Sequence, residues 1–235
     1  MKKPCVHHAV VVLVSAIALA ACGPGIDSAA KADIDQRIAV MAPSGAAFPA
    51  PAALVPKPFA VGQWTQHKMV SENGQPSLLT YKIVGEEAGA YWVEVAHESY
   101  YGKTVNKILL AMGDRSNPAT MEFRAVKMKD KQGKVTELQG PMIQLMKSAY
   151  QSSVNMLAVS WQGLPQESVG VVAGNFAACF KAMTDASWGA WRSTATSWMH
   201  PSVPISGLVK SVGISHPTTM ELVGFGDSGA TSEIP

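Results

Sequence analysis

The side chains best suited to metal or nucleophilic chemistry are few in this sequence. The 235 residues include 3 Cys and 6 His. His97 has the richest local group, with Glu94 and Glu98 beside it. Side chains alternate between faces along a strand, so His97 should point away from both glutamates. No two histidines have the spacing of a zinc helix, and no Cys/His cluster exists. We therefore predict a surface histidine at 97, no metal site and no cofactor.

Serine chemistry is suggested by three fragments that superficially resemble trypsin-like serine proteases: Ile83-Val84-Gly85, Val95-Ala96-His97 and Gly226-Asp227-Ser228-Gly229. Such an enzyme needs its histidine, aspartate and serine to be brought together by two complete barrels. His97 follows Ile83 by 14 residues, which is far too close for that family. Gly226–Gly229 is more simply a polar, glycine-rich exit from a strand. The sequence predicts no catalytic residues and a protein that is not an enzyme.

The cysteines divide into three environments. Cys5 lies near the start of the chain, Cys22 follows an apolar run, and Cys179 lies among apolar residues in Phe176-Ala177-Ala178-Cys179-Phe180. A reactive thiol needs a neighbouring cation or a helix N-terminus, and only Lys181 is close in sequence. We expect Cys179 to be a small, inert, buried hydrophobe.

The first 21 residues indicate export. Lys2 and Lys3 precede an uncharged, largely apolar run from Ala9 to Ala21, which is shorter than the roughly 20 residues of a membrane-spanning helix. The run ends Leu19-Ala20-Ala21-Cys22, which closely resembles the lipobox of bacterial lipoproteins. The resemblance implies a cleaved signal peptide over 1–21 and acyl chains, such as palmitate, on Cys22. An ordinary secretory signal followed by an incidental cysteine is the alternative.

Lipidation would place the protein on a membrane without crossing it, because two or three acyl chains make stable anchoring. Gly23 stands where an aspartate would, in some bacteria, retain a lipoprotein at the inner membrane. The resemblance thus favours the outer membrane of the bacterial cell envelope. Removing residues 1–21, which contain two lysines and no acids, leaves 17 of the 19 basic residues against 17 acidic ones. This balance offers no electrostatic basis for nucleic-acid binding.

A tether is predicted over residues 22–60, which are rich in Ala and Pro. Five prolines lie between Pro43 and Pro58, and this density favours an extended, semi-rigid spacer. Asp33-Ile34-Asp35-Gln36 has the pattern of a capping box. Ile34, Ile38 and Met41 recur at helical spacing, which indicates a short helix inside the tether.

The body, residues 61–235, is predicted to be a single β-rich domain. Leu79, Tyr81 and Ile83 alternate with Thr80 and Lys82, as in a strand with two different faces. Turn residues such as Asn73-Gly74 separate the runs and indicate antiparallel hairpins. We predict strands at about 62–70, 78–86, 90–99, 104–112, 120–129, 134–139, 168–173, 175–184, 188–199, 207–214 and 218–225.

One main helix interrupts the strands. Pro141 begins a segment in which Met142, Leu145, Met146 and Ala149 form a helical stripe, and the helix should extend over 141–157 and pack on the sheet. The predicted fold class is mainly β (α+β), a curved antiparallel sheet or half-open β-barrel of about ten strands. The order of elements resembles periplasmic lipoprotein carriers, related lipid-binding lipoproteins and uncharacterised bacterial lipoproteins.

Two functions are consistent with this architecture. The first is a lipid-anchored, non-enzymatic binding or assembly module whose partners are the membrane, through Cys22, and other envelope proteins. The second is a carrier that holds lipid or another apolar molecule between the sheet and the helix. Trp188, Trp191 and Trp198, together with Tyr100-Tyr101, could line such a ligand site, although a packed core would account for them equally well.

Overall fold

Strands dominate the regular structure of this chain. The computed structural model describes residues 25–52, 55–112, 120–144, 161, 163–188 and 191–235. These ranges contain the helix α1 (Ser28–Ala39), a short helical stretch at 141–144 and twelve strands. The strands are β1 (Ala47–Phe48), β2 (Trp64–Val70), β3 (Pro76–Glu87), β4 (Ala90–Ser99), β5 (Gly102–Ala111), β6 (Glu122–Lys129), β7 (Val135–Leu138), β8 (Gln166–Val171), β9 (Gly174–Trp188), β10 (Trp191–Met199), β11 (Leu208–Gly213) and β12 (Thr219–Gly226).

All twelve strands belong to one open sheet in the order β1-β9-β10-β11-β12-β2-β3-β4-β5-β6-β7, with β8 also paired to β9. Every pairing is antiparallel except that of β1 with β9. The sheet contains two meanders, β2–β7 and β8–β12, and the pairing of β12 with β2 joins them. The predicted fold class is confirmed, and each predicted strand has a counterpart within a few residues.

Period-two patterning sorts the side chains of the β2–β7 meander onto two faces. The inner face carries the main apolar cluster, in which Leu79, Ile83, Val93, Val95 and Ile108 are buried. Leu208 and Met220, from β11 and β12, complete that cluster from the other meander. The opposite, outer face carries most of the charge, because Lys82, Glu94 and Lys107 occupy consecutive cross-strand positions.

The second meander has its own core. Phe176, Val209 and Leu222 are fully or almost fully buried there, and Phe48 of β1 packs against them. The Phe48 and Phe176 rings stack with centroids 4.3 Å apart. The first residue of β9 is Gly174, with φ 145°, and a Cβ there would lie 2.7 Å from the carbonyl oxygen of Ala46. Glycine is therefore required where β1 approaches β9.

The predicted tether contains ordered structure that contacts the sheet. Asp27 is the N-cap of α1, and its main-chain N–H donates to the Tyr100 carbonyl at 2.8 Å. Ile34 is 1% exposed, and Arg37 donates to Glu98 of β4 at 2.7 Å. The helix predicted inside this segment is thus present, but it begins at Ser28, ahead of the predicted capping box. The division into signal peptide, tether and body stays a prediction, but residues 28–39 and 47–48 of that tether pack against the body.

The helix predicted over 141–157 falls mostly outside the described residues. Residues 141–144 are helical, as Pro141 at a first helical position predicts. Residues 145–157 lie outside the described ranges. Among the described helices, none has the length and apolarity needed to cross a membrane.

Docking of α1 gives the first testable prediction. Ile34→Ala removes a buried side chain and should lower the free energy of unfolding by about 2–5 kcal/mol, because the sheet cannot close the resulting cavity completely. The matched control is Ile26→Ala, the same change at a side chain that is 52% exposed, which should alter stability by no more than about 0.5 kcal/mol. Urea titration measures both, and equal effects would mean that α1 is not docked.

Candidate functional site

Five buried polar atoms on the inner face have no hydrogen-bond partner. They are Thr65 Oγ1, His67 Nδ1, His97 Nε2, Thr104 Oγ1 and Asn106 Oδ1. Buried polar groups are nearly always paired, because an unpaired one costs about 1–3 kcal/mol. Five such atoms on one region of one face therefore call for a physical explanation. We name this set the inner polar site.

The sheet register brings the five residues together. His67, Leu79, His97 and Thr104 are cross-strand neighbours in one row over β2, β3, β4 and β5. Thr65, Tyr81, Val95 and Asn106 form the next row along the same face. Adjacent strands are about 4.8 Å apart, and rows two residues apart are separated by roughly 7 Å. The orphaned atoms thus lie close together on one face of the sheet.

His67 is the most deeply buried member. Its Nε2 lies 3.0 Å from the Leu208 carbonyl oxygen, which can only accept a hydrogen bond, so Nε2 carries the proton. Complete burial lowers the pKa of His67 from 6.5 to about 4, and the Leu208 contact opposes this only in part. The ring is therefore neutral at physiological pH. Its Nδ1 is then unprotonated and can only accept a hydrogen bond, and it has no donor.

The two rows that contain these atoms hold no charged residue. At the positions of those rows on β2, β3, β4 and β5, no Asp, Glu, Lys or Arg occurs. Apolar side chains such as Leu79 and Val95 separate the polar ones, and Tyr81 lies edge-on to His67 with centroids 6.3 Å apart. A charged ligand would lose its hydration here without gaining a counter-charge. The site fits a neutral molecule instead.

Donor groups on that molecule would satisfy the site best. His67 Nδ1 and Asn106 Oδ1 can only accept, while the hydroxyls of Thr65 and Thr104 can donate or accept. A ligand with hydroxyl or amide N–H groups on an apolar frame would supply the donors that these atoms lack. Ordered water could pair some of them. No group in this set is activated as a nucleophile, so the arrangement is suited to binding rather than to a reaction.

The surface position predicted for His97 is correct only in part, because the residue is half-buried and its Nε2 is buried. His97 lies on the opposite face from Glu94 and Glu98, as expected, but that face is the inner one. Burial lowers the pKa of His97, although the charge of Glu98 acts in the other direction. Sequence analysis missed Thr65, His67, Thr104 and Asn106 altogether. The available signal was their position in the alternating strands. Each of them lies an even number of residues from buried apolar residues of its own strand, and so on the same face.

Other residues singled out from the sequence have structural partners. Cys179 is fully buried, and its burial raises the pKa of its thiol to about 12, in agreement with an inert thiol. Tyr100 donates to Asp35 at 2.5 Å and so holds α1. Trp198 is partly buried against the second core and donates to Glu167 at 3.3 Å. The side chains of Trp188 and Trp191 lie outside the described residues.

The protease-like fragments do not assemble. Ser228 is exposed in the segment after β12, and Asp227 is bound by Lys57 at 2.9 Å. His97 Nε2 has no hydrogen-bond partner and so is not paired with either residue. His200 is buried after β10, and its Nε2 lies 3.1 Å from the Pro49 carbonyl oxygen. In the described part of the chain, no group of three or more His, Cys, Asp or Glu could hold a metal ion.

Cys22, the predicted lipidation residue, lies outside the described residues, and lipidation there stays a prediction. The first described contact after it is the bond from Asp27 to Tyr100. Four residues lie between Cys22 and Asp27, and the five Cα-to-Cα steps that join them span at most roughly 18 Å when fully extended.

The fold and the site define a single-sheet β protein with a candidate ligand-binding site on its inner face. No protein-family model matches the chain, and no curated protein matches it significantly. Among solved structures it is similar to a "putative exported protein with YmcC-like fold" from Bacteroides fragilis, at 12% identity and TM-score 0.35, over 74% of this chain and 100% of that one. It is also similar to a "putative lipoprotein" from Parabacteroides distasonis, at 14% identity and TM-score 0.32, over 72% of this chain and 97% of that one.

The absence of hydrogen bonds to the inner polar site can be tested by measuring the free energy of unfolding of variants. Thr65→Val replaces an orphaned hydroxyl by a methyl group of similar shape, and should raise the free energy of unfolding of ligand-free protein by about 1 kcal/mol. Thr80→Val is the matched control, because Thr80 Oγ1 accepts from Gln66 Nε2 at 3.0 Å on the outer face. That change should lower the free energy by about 1 kcal/mol. Chemical denaturation measures both, and destabilisation of equal size would show that Thr65 is paired.

Proposed function

We propose that this chain is a lipid-anchored lipoprotein of the bacterial cell envelope, at the outer membrane, which binds a small neutral ligand on its inner face without transforming it. The observation that carries the binding function is the inner polar site, with its five buried and unpartnered polar atoms. A surface used only for protein assembly has no need of such atoms beneath it. A ligand or ordered water that pairs them would recover the cost of burying them.

The ligand differs from the purely apolar molecule that the carrier interpretation of the sequence implies. A hydrocarbon chain would leave His67 Nδ1 and Asn106 Oδ1 unpaired, at about 1–3 kcal/mol each. An uncharged molecule with several hydroxyl or amide groups would pair them. The ligand class that the site favours is therefore a neutral, hydroxyl- or amide-bearing small molecule with an apolar surface.

The anchor rests on the sequence Leu19-Ala20-Ala21-Cys22 and acts close to the folded body. Because at most roughly 18 Å of chain separates Cys22 from the contact at Tyr100, acylation would hold the β4–β5 turn near the membrane surface. The segment 23–60 would then serve mainly as packed structure, because α1 and β1 lie within it.

Native mass spectrometry tests the binding function. Protein purified gently from its native host should carry a small neutral molecule, and Thr65→Val combined with Asn106→Leu should abolish that adduct by removing two of its pairing groups. Thr80→Val should retain the adduct, because Thr80 lies on the outer face. Wild-type protein without any adduct, or a double variant that retains it fully, would contradict ligand binding at this site.

Metabolic labelling with a fatty acid tests the anchor separately. Cys22→Ser should lose the label and move from the membrane to the soluble fraction, because the acylated thiol is absent. Cys179→Ser is the matched control and should keep the label, since that thiol is buried in the second core. Label that persists on Cys22→Ser would overturn the anchor and leave the ligand site unaffected.

A further inference from the structure

The outer face of β3–β6 is covered by the chain segment 230–235, which we name the strap. Ile234 is 0% exposed and packs with Ala96 and Val105. The strap belongs to none of the described strands, so it forms no ladder with the sheet. Side chains of the sheet hold it instead.

Lysines of three strands bind the main chain of the strap. Their ammonium groups donate to consecutive carbonyl oxygens: Lys129 to Glu233 at 3.2 Å, Lys107 to Ile234 at 2.5 Å and Lys127 to Pro235 at 2.9 Å. Lys82 approaches the Thr231 carbonyl oxygen at 3.4 Å. Because every residue type carries a carbonyl group, these contacts bind the main chain whatever its sequence.

The carboxylate of Glu94, on β4, binds the strap from the side of the sheet. Its side chain is 0% exposed and accepts from the Glu233 main-chain N–H at 2.9 and 3.1 Å. It also accepts from Ser232 Oγ at 2.8 Å and from Lys82 Nζ at 3.2 Å. A buried carboxylate that loses such donors is strongly destabilised, so this position requires an occupant that supplies an N–H group.

Two side chains of the strap add selectivity. The Glu233 carboxylate binds Lys82 and Lys103, each at 2.7 Å. Ile234 fills the apolar position between Ala96 and Val105. Without the strap, the five lysines at 82, 103, 107, 127 and 129 would outnumber the nearest acids of this face, Glu94, Glu98 and Glu137. The outer face therefore favours a segment in which an acidic residue precedes an aliphatic one.

We propose that this face is a peptide-binding site for an acidic–aliphatic segment of a partner protein, and that the strap occupies it in cis. Lysine contacts to successive carbonyls, a buried acceptor for a main-chain N–H and an apolar pocket together make a complete recognition site. The strap is joined to β12 through the short segment 227–229, which gives it an effective concentration on the order of millimolar. Only a partner that binds more tightly, or that is presented at high local density, would displace it.

Displacing the strap should expose the site. In the full chain, Ile234→Asp places a charge in the apolar pocket and should release the strap. The probe is an acetylated peptide with the sequence of residues 229–235, titrated by isothermal calorimetry. We expect the variant to bind the probe at least tenfold more tightly than wild-type protein, which the strap competes against. The same peptide with Glu replaced by Lys should bind at least tenfold more weakly to the variant.

Charge-matched variants test the location. On the Ile234→Asp background, Lys127→Met with Lys129→Met should weaken peptide binding, whereas Lys131→Met with Lys134→Met removes the same charge from the β6–β7 turn and should not. If near-UV circular dichroism shows that Ile234→Asp is unfolded, Glu233→Lys releases the strap with less disturbance of the apolar pocket. The proposal would be overturned if a folded release variant does not bind the peptide. It would also be overturned if the two pairs of lysine substitutions weaken peptide binding equally.

Discussion

The pairing of β12 with β2 is the interaction on which both faces of the sheet depend. It runs from Thr219 opposite Val70 to Gly226 opposite Trp64, and it joins two meanders that are remote in sequence. A Cβ at Gly226 would lie 2.6 Å from Trp64 Nε1, so glycine lets this indole lie against β12. Without the pairing, His67 would lose the Leu208 carbonyl, and the main core would lose Leu208 and Met220.

The alternation of side chains along β2–β6 places neutral polar residues on the inner face of the sheet and charged residues on its outer face. The two inner rows of the polar site mix threonine, histidine and asparagine with aliphatic residues, whereas the outer face has the charged cross-strand row Lys82, Glu94, Lys107 and Lys127. A shift of register by one residue would exchange the two sets and bury several charges, at a cost that no nearby contact could offset. The cross-strand register therefore specifies both the inner polar site and the lysines that hold the strap.

The strands could be predicted from the sequence because burial on one face imposes a period of two, as in Leu79-Thr80-Tyr81-Lys82-Ile83. The position of α1 was harder to predict. Its single fully buried residue, Ile34, gives a weak apolar pattern, and the dense prolines after Pro43 favoured an extended spacer. The two-residue β1 has no local pattern, and its pairing depends on Gly174 and Phe176 more than 120 residues away.

The inner polar site was not predictable for a different reason. Threonine, histidine and asparagine are common on exposed strand faces, and only the three-dimensional arrangement shows that five of these side chains each have a buried polar atom without a partner. His97 was noticed because two glutamates are near it in sequence, yet its relevant neighbours, Thr104 and Leu79, belong to other strands. Chemistry that depends on cross-strand rows is invisible to sequence spacing, because each row draws one residue from each strand.

The attachment of α1 at Asp27 and Tyr100 would also limit how far the body can move from an acylated Cys22. Four residues lie between Cys22 and Asp27, so lipidation would hold the β4–β5 turn close to the lipid surface. Encounters with other molecules on the same leaflet would then become a search in two dimensions rather than in three.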